Sequence, residues 1–403
     1  MDFTLLIIGA DANAYYMARC YHELTNKQAY IIAKNPIWFT ANSKIVKPKY
    51  YENIWEEKEF LKILNEFYEE HKTEKILLVS ATENYIELIS KNEGKLKNKF
   101  IFNYPKYSII ETLSNKELFY KTYMDNGIIE LPKTIYHKKN DKLNIHFNYP
   151  VIVKPANVVE YRHIEKPNKT KIYKVNNQEE LEQTIKEIYN IGYKDTIIIQ
   201  EYIEGDDSYL FDSVIYADKN SKVKRITLAQ IALQEHKKDL VGNAAVLING
   251  YNEFNNTNEI VEKIRKFSEK IGLTGFYEFD LKYDKKDNSF KLLEINPRQG
   301  RCSYYLTKAG CNLIEILYCD LIKKELLKYE VLDKEVLLSF VPKKIIKDYV
   351  VNEKIKNKAL SMYKDHVNPI KYNKDKSLKR MYLLYRKDKR YFKDYKEAYW
   401  TNN

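Results

Sequence analysis

The sequence is poor in cysteine and has no long apolar stretch. Its four cysteines, Cys20, Cys302, Cys311 and Cys319, form no CxxC pair, which argues against a zinc site and favours reduced thiols. No run approaches the roughly 18 apolar residues that a membrane-spanning helix needs. The start, MDFTLLIIGAD, has an acid where a signal peptide has basic residues. We therefore expect a cytoplasmic protein with no transmembrane segment.

Glycine is also scarce, with 11 residues in 403 against 36 tyrosines. Gly9 follows a strand-like run, TLLIIGA, but the G-x-G-x-x-G pattern of a dinucleotide site is absent. The segment after Lys154, PANVVEYRHIEKPNKTKIYKV, contains no glycine either. The sequence therefore disfavours a dinucleotide-binding domain and lacks a glycine-rich phosphate loop after Lys154.

Positive charge is concentrated near the C-terminus. The net charge is +12, and residues 321–403 hold 22 lysines and arginines against 11 acids. The run KRMYLLYRKDKRYFKDYKEAYW interleaves bases with aromatics, as single-stranded nucleic-acid binders do. However, Lys and Tyr are abundant throughout, and an anionic small substrate or membrane surface explains the charge equally well. We expect no specific nucleic-acid binding and expect tail lysines such as Lys387 and Lys389 to be exposed.

The order of strand and helix patterns predicts an α/β protein of two or three domains. TLLIIGA, QAYIIAK and KILLVSA have the composition of buried strands, and a helical pattern follows the first of them. This alternation predicts a parallel sheet with helices on both faces. Farther along, Asn177 is a predicted N-cap and Gly272 a predicted helix end.

Acidic and amide side chains alternate along a predicted hairpin. GFYEFDLKYD and KLLEIN are strand-like and are joined by the turn residues KKDNS. If Glu278, Asp280, Glu294 and Asn296 share one face, their carboxylates repel one another. Mg²⁺ prefers such oxygen ligands and offsets that repulsion. The alternative is an ordinary solvated polar face.

Four motifs in order resemble the ATP-grasp superfamily of carboxylate-amine ligases: SNKELFY, VIVKPA, QEYIEGDD and EINPR. GDDSYLFDSVIYAD, VGNAAVLINGYNE and EINPRQGR are more narrowly similar to the D-aspartate ligases of peptidoglycan synthesis. The resemblance implies an α/β fold class in its α+β ATP-grasp form. It implies a Rossmann-like N-terminal domain over 1–110, an ATP-grasp domain over 111–325 with a lid at about 133–205, and a basic extension over 326–403.

The resemblance also implies which residues bind the cofactors ATP and Mg²⁺. ATP would lie between the lid and the C-terminal hairpin, with cationic side chains on its phosphates. The implied ATP-binding residues are Lys116, Lys154, Gln200, Glu201, Ile203 and Asp207. The implied metal ligands are Glu278 or Asp280, which share a face, together with Glu294 and Asn296.

Roles for substrate binding follow from the same resemblance. Arg298 and Arg301 would orient the carboxylate and stabilise a tetrahedral oxyanion, the alternative being ion pairs with nearby acids. His236 and Asn243 lie in a loop expected near the active site and would contact substrate or phosphate. Arg162 would supply the positive charge that the glycine-poor lid loop lacks, the alternatives being its neighbours His163 and Lys171.

The implied reaction activates an amino-acid carboxylate as an acyl phosphate and joins it to an amine, with release of ADP and phosphate. The implied partners are an aspartate-like amino acid and a UDP-linked muramyl peptide. Two alternatives stay open: a ligase with an acceptor outside the cell wall, and a nucleotide- or nucleic-acid-binding protein that keeps the fold without the reaction. The sequence does not reveal the chirality of the amino acid or the oligomeric state.

Overall fold

A computed structural model describes residues 1–80, 82–157, 160, 161, 164, 170, 172–237, 240 and 242–397. The strands are β1 Thr4–Ile8, β2 Ala29–Ala33, β3 Val46–Tyr50, β4 Ile76–Ser80, β5 Thr134–His137, β6 Val151–Pro155, β7 Tyr173–Val175, β8 Ile197–Glu201, β9 Leu210–Ala217, β10 Val223–Ile226, β11 Ala229–Gln234, β12 Ala244–Asn249, β13 Gly275–Asp284, β14 Ser289–Asn296, β15 Glu330–Val331 and β16 Val336–Ser339.

Helices connect and cover these strands. They are Ala12–Thr25, Trp38–Ala41, Glu57–His71, Glu83–Lys91, Glu93–Leu96, Tyr107–Ser114, Lys116–Tyr123, Gln178–Asn190, Thr257–Ile271, Tyr305–Ala309, Leu313–Leu317, Lys343–Tyr349, Glu353–Met362 and Leu378–Lys396. Short 3₁₀ turns cover Asp207–Tyr209 and Tyr363–Asp365, and a π-helical turn covers Tyr318–Lys323. In the part of the chain that the structure describes, no helix is long and apolar enough to cross a membrane.

The N-terminal sheet has the strand order β3-β2-β1-β4, and all of its strands are parallel. Alternate residues of β1 face opposite sides: Leu5 and Ile7 pack with the helix Ala12–Thr25, and Leu6 and Ile8 pack with the helix Glu57–His71. A parallel sheet buried on both faces needs such continuous apolar strands. The predicted parallel sheet with helices on both faces is therefore confirmed.

The central sheet is antiparallel along the order β14-β13-β9-β11-β12-β16, with β10 and β15 attached at its side. The predicted hairpin is present as β13 and β14. Its register sets Glu278 opposite Asn296 and Asp280 opposite Glu294, and β9 sets Asp212 opposite Asp280. The pairing therefore brings acids from three strands to one place.

A smaller antiparallel sheet, β5-β8-β6-β7, lies within the segment predicted as the lid. The helix Gln178–Asn190 packs on it, and the Asn177 side chain accepts from the Glu180 amide as the predicted N-cap. Gly272 ends the helix Thr257–Ile271 in a left-handed conformation, as expected. The domain boundaries themselves stay predictions.

The basic C-terminal segment folds back onto the rest of the molecule. Arg380 is fully buried, with Nε 3.1 Å from Asp375 Oδ2 and its guanidinium carbon 4.0 Å from the centroid of the Tyr15 ring. Asp375 also accepts from Tyr15 at 2.9 Å and from the Ser43 hydroxyl at 2.8 Å. This buried pair fastens the C-terminal helix Leu378–Lys396 to the N-terminal domain.

We expect Arg380→Met to destabilise the protein strongly, because it leaves the Asp375 carboxylate buried without its cation. Removing one partner of a buried ion pair costs about 3–5 kcal/mol of the free energy of unfolding. Urea denaturation monitored by circular dichroism measures it. The control is Lys379→Met, at the exposed neighbouring position. Equal denaturation midpoints for the two variants would contradict the assigned role of Arg380.

Candidate active site

Three carboxylates form the centre of the candidate site. Oxygens of Asp212, Glu278 and Asp280 lie within 4.8 Å of one another. Desolvation by burial raises the pKa of each, and the negative charges of the neighbouring acids raise those of Glu278 and Asp280 further. Such a cluster is costly unless its charge is compensated. Its oxygen donors match the ligand preference of Mg²⁺.

Glu294 and Asn296 complete the face that the sequence predicted. Asn296 Nδ2 donates to Asp280 Oδ2 at 3.1 Å and to Glu278 Oε2 at 3.3 Å. Glu294 forms an ion pair with Lys116, and its side chain is 40% exposed, whereas Glu278 and Asp212 are buried. The cluster therefore has a buried floor and a more open rim that contains Glu294.

Two lysines lie beside this rim. Lys116 begins a helix capped by Asn115, and Lys154 lies on β6. Burial lowers the pKa of Lys154 to about 7, and the nearby Lys116 charge adds to that effect. Burial also acts to lower the pKa of Lys116. The Glu294 carboxylate outweighs this effect, and the pKa of Lys116 is therefore above the usual range. Two ammonium groups therefore lie near the rim, one paired with Glu294 and one held by neutral side chains.

Gln200 holds Lys154 in place. It is buried on β8, and its Oε1 accepts from Lys154 Nζ at 2.8 Å while its Nε2 donates to the Thr134 hydroxyl at 2.8 Å. The Tyr120 hydroxyl lies 3.2 Å from the same ammonium. Gln200 was predicted to bind the cofactor, and this stays a prediction; its side chain contacts Lys154, another predicted ATP-binding residue.

The hinge after β8 contains the other predicted ATP ligands. The Glu201 amide already donates to the Lys133 carbonyl at 3.0 Å, and Ile203 is buried. Asp207 accepts from the amide and side chain of Gln234 at 2.7 and 2.6 Å. Lys282 was not predicted; it donates to the Gly205 carbonyl at 3.1 Å and shares the face of Asp280 on β13.

Arg298 bridges the acid cluster and the N-terminal domain. Its Nη2 lies 2.9 Å from Glu83 Oε1, and its Nη1 lies 3.9 Å from Glu278 Oε2. The adjoining backbone is held by the Tyr16 hydroxyl, which donates to the Gly300 carbonyl at 2.6 Å. A Cβ at Gly300 would stand 1.8 Å from Glu278 Oε1, so only glycine allows this close approach.

Arg301 points to a second cluster. Its Nη2 lies 2.5 Å from Glu235 Oε1, and the Tyr391 hydroxyl donates to the same oxygen at 3.1 Å. The guanidinium carbon is 4.2 Å from the centroid of the Phe340 ring. Both arginines thus make the ion pairs that stood as the alternative to substrate contact.

The remaining predicted residues are placed as follows. His236 stacks on Tyr395 at 4.3 Å between ring centroids, and burial lowers its pKa. The Asn243 side chain donates to the Leu240 carbonyl at 2.8 Å and so stabilises its own turn. Arg162 lies outside the described residues, as do His163 and Lys171.

Sequence reasoning missed two functional candidates and misjudged a third. The missed residues are Asp212 and Glu235, and the misjudged one is Lys387. Asp212 lies in YLFDSVIYAD, but nothing local shows that β9 pairs with β13. Glu235 directly precedes His236, which was singled out. Lys387 was expected to be exposed and is not: it is half-buried, with its ammonium 4.2 Å from the centroid of the Tyr391 ring.

Comparison with known proteins supports one family. The model of the family described as "ATP-grasp in the biosynthetic pathway with Ter operon" matches residues 195–335. A D-aspartate ligase from Enterococcus faecium (strain Aus0004) is 33% identical over 400 residues, which are 95% of this chain and 93% of that protein. The sequence resemblance to ATP-grasp ligases of this kind is confirmed.

Solved structures agree on the fold. An L-amino acid ligase from Bacillus licheniformis superposes with a TM-score of 0.57 at 17% identity, over 80% of this chain and 74% of that chain. The biotin carboxylase domain of the Hydrogenobacter thermophilus 2-oxoglutarate carboxylase, solved with MgADP and bicarbonate, gives 0.58 at 14% identity over 83% and 72%. The predicted α/β ATP-grasp fold class is confirmed.

We expect ATP binding to take up a proton above neutral pH, because a phosphate beside Lys154 restores the charged form. With its pKa lowered to about 7, Lys154 is mostly neutral at about pH 8.5 in the free protein. Titration calorimetry in buffers of different ionisation enthalpy measures the proton count. Lys154→Met should bind ATP more weakly and without that uptake. Equal proton uptake by wild type and variant would show that another group titrates.

Proposed function

We propose, because this chain belongs to the ATP-grasp family of carbon–nitrogen ligases that includes D-aspartate ligase, that it joins an aspartate-type amino acid to an amine of a peptidoglycan precursor peptide. The activated group is the side-chain carboxylate, and the products are ADP, phosphate and an amide. The observation that carries the proposal is the position of Lys116 and Lys154 beside the carboxylate cluster, which supplies charges of both signs for a metal–nucleotide complex.

The nucleotide lies between the small sheet and the β13–β14 hairpin in this proposal. Lys154 and Lys116 contact its phosphates, and the phosphates supply a negative charge beside Lys154. Asp280, Glu294 and Asn296 form the accessible rim and hold Mg²⁺, while Asp212 and Glu278 lie beneath them. When bound, the ion neutralises charge that develops on the phosphates.

The reaction proceeds in two displacements. A carboxylate oxygen attacks the γ-phosphorus and the bond to the β-phosphate oxygen breaks, which yields an acyl phosphate and ADP. The amine then attacks the acyl carbon, phosphate leaves, and the nitrogen loses a proton. Arg298, which bridges Glu83 and Glu278, is placed to orient the carboxylate and stabilise the tetrahedral oxyanion.

The acceptor and the location are the finer parts of the proposal. A UDP-linked muramyl peptide is anionic, and the basic C-terminal segment favours such a partner electrostatically. A cytoplasmic location fits a reaction that consumes ATP and a chain whose four cysteines are free. The experiments below distinguish this proposal from two alternatives. One is a ligase that acts on another amine, and the other is a protein that binds nucleotide without catalysis.

We expect hydroxylamine to trap the acyl phosphate as a hydroxamate that forms only with ATP, Mg²⁺ and the correct amino acid. A panel of D- and L-amino acids, with ADP and hydroxamate quantified together, identifies the substrate without knowledge of the acceptor. Adding the UDP-linked muramyl peptide should replace the hydroxamate with an amide. Nucleotide binding without turnover on any amino acid would favour the non-catalytic alternative, and AMP with pyrophosphate would indicate adenylation.

Asp280→Asn should lower kcat by roughly 100-fold or more and raise the Mg²⁺ concentration that gives half-maximal activity, because a neutral amide is a weaker ligand than a carboxylate. The protein's thermal midpoint without Mg²⁺ should be unchanged or higher, since the substitution removes like-charge repulsion. Asp284→Asn, near the turn of the same hairpin, is the control. A lower midpoint with normal Mg²⁺ dependence would mean that Asp280 is structural.

A further inference from the structure

The cluster around Arg301 has more polar groups than its internal contacts satisfy. Glu235 is 1% exposed. Its Oε1 forms an ion pair with Arg301 and accepts a hydrogen bond from the Tyr391 hydroxyl. Its second oxygen, Oε2, and the Arg301 Nη1 are buried and have no hydrogen-bond partner among the described residues. Leaving such groups unsatisfied is costly. One open acceptor and one open donor therefore belong to the two partners of a single buried ion pair.

The C-terminal helix adds a further cation to this cluster. Lys387 lies one turn before Tyr391, and no carboxylate of the described residues forms an ion pair with it. Burial lowers its pKa; the groups that act on it are Glu235 and Asp394, which raise the pKa, and Arg301 and Arg390, which lower it. The Lys387 ammonium lies over the Tyr391 ring, whose hydroxyl donates to Glu235, and the charges of Glu235 and Arg301 act on it.

The cluster lies next to the acid floor of the candidate active site. Arg301 follows Gly300, which is packed against the Glu278 carboxylate. Cys302 follows Arg301, and its buried thiol donates to the Ala244 carbonyl at 3.3 Å. Burial raises the pKa of this thiol, and the charges of Asp212, Arg301, Glu278 and Glu235 act on it. Along the chain, only Gly300 therefore separates Arg301 from Arg298–Gln299 and from the contact with Glu278.

We propose that Glu235, Arg301 and Lys387 form the pocket for the amino-acid head group: Glu235 Oε2 binds its α-ammonium, and Arg301 Nη1 with Lys387 binds its α-carboxylate. A zwitterion supplies one cationic donor and one anionic acceptor on a single carbon, which matches the two open atoms in sign and number. The side-chain carboxylate is left free to extend past Gly300 towards Arg298. The proposal rests on the proposed function for the identity of the substrate.

The helix Leu378–Lys396 covers this pocket. Tyr391 and Tyr395 are buried, and their hydroxyls contact Glu235 Oε1 and the Gln234 carbonyl at 3.1 and 2.6 Å. The helix therefore shields the open atoms from solvent. The basic C-terminal segment thereby becomes part of the substrate site instead of a tail that attracts anions from a distance.

Direct binding tests this assignment without requiring turnover. Calorimetry with the full chain measures the Kd of D- and L-aspartate, of butanedioate, which lacks the ammonium, and of 3-aminopropanoate, which lacks the α-carboxylate. Glu235→Gln should weaken aspartate and 3-aminopropanoate roughly 10- to 100-fold and should not weaken butanedioate, because the ammonium loses its carboxylate partner while the Gln carbonyl can still accept from Arg301. Lys387→Met should weaken aspartate and butanedioate and spare 3-aminopropanoate.

The matched control is Lys389→Met, on the same helix but exposed, which should change none of these constants. ATP affinity should be unchanged in all variants. Equal weakening of all three ligands by Glu235→Gln or Lys387→Met would mean that these residues only maintain the fold, and failure of wild type to bind aspartate would also overturn the pocket. Aspartate binding with this pattern but without hydroxamate would retain the pocket and reject the ligase reaction.

Discussion

The desolvation of acidic side chains at the meeting point of β9, β13 and β14 is the constraint on which the rest of the site depends. Asp212, Glu278 and Asp280 come within 4.8 Å of one another. Two like charges about 4 Å apart repel by about 4 kcal/mol at an effective dielectric constant of 20. The fold tolerates this arrangement because cations surround it and because raised pKa values allow it to hold protons. The Mg²⁺ site that we propose rests on this same arrangement.

The cations come from distant parts of the chain, and this explains how the domains are assembled. Arg298 reaches from the end of β14 to Glu83 in the N-terminal domain, and Gln299 Nε2 donates to the Ser80 carbonyl at 2.8 Å. The parallel sheet therefore contacts the acid cluster through its carboxyl ends, where α/β sheets usually bind ligands. Lys116 approaches from the other side through Glu294. The same contacts therefore border the acid cluster and connect the N-terminal sheet to the hairpin.

The C-terminal segment shows how composition can mislead. Its bases and aromatics fit a nucleic-acid-binding tail, a membrane-binding tail or an electrostatic guide equally well. In the structure, Arg380 is buried against Asp375, and Tyr391 and Tyr395 are buried near Glu235. Only part of the segment's charge is therefore available to distant partners. Exposed cations remain both on the helix Leu378–Lys396, such as Lys389 and Lys393, and before it, such as Lys343.

The sequence by itself determined the features that depend on neighbouring residues. Period-two alternation placed Glu278, Asp280, Glu294 and Asn296 on one face, and helix caps such as Asn177 followed from local hydrogen bonding. These rules act over short distances along the chain, so the hairpin, the parallel sheet and the family motifs could all be predicted from the sequence.

Only the tertiary structure decided which distant residues complete the site. Asp212 joins the acids because β9 pairs with β13. Lys387 lies over the ring of Tyr391, which contacts Glu235, because a helix about 150 residues later docks there. Gln200 became a partner of Lys154 because β8 pairs with β6. Strand order and helix docking are set by the burial of apolar surface across the whole chain, and no local pattern encodes that choice.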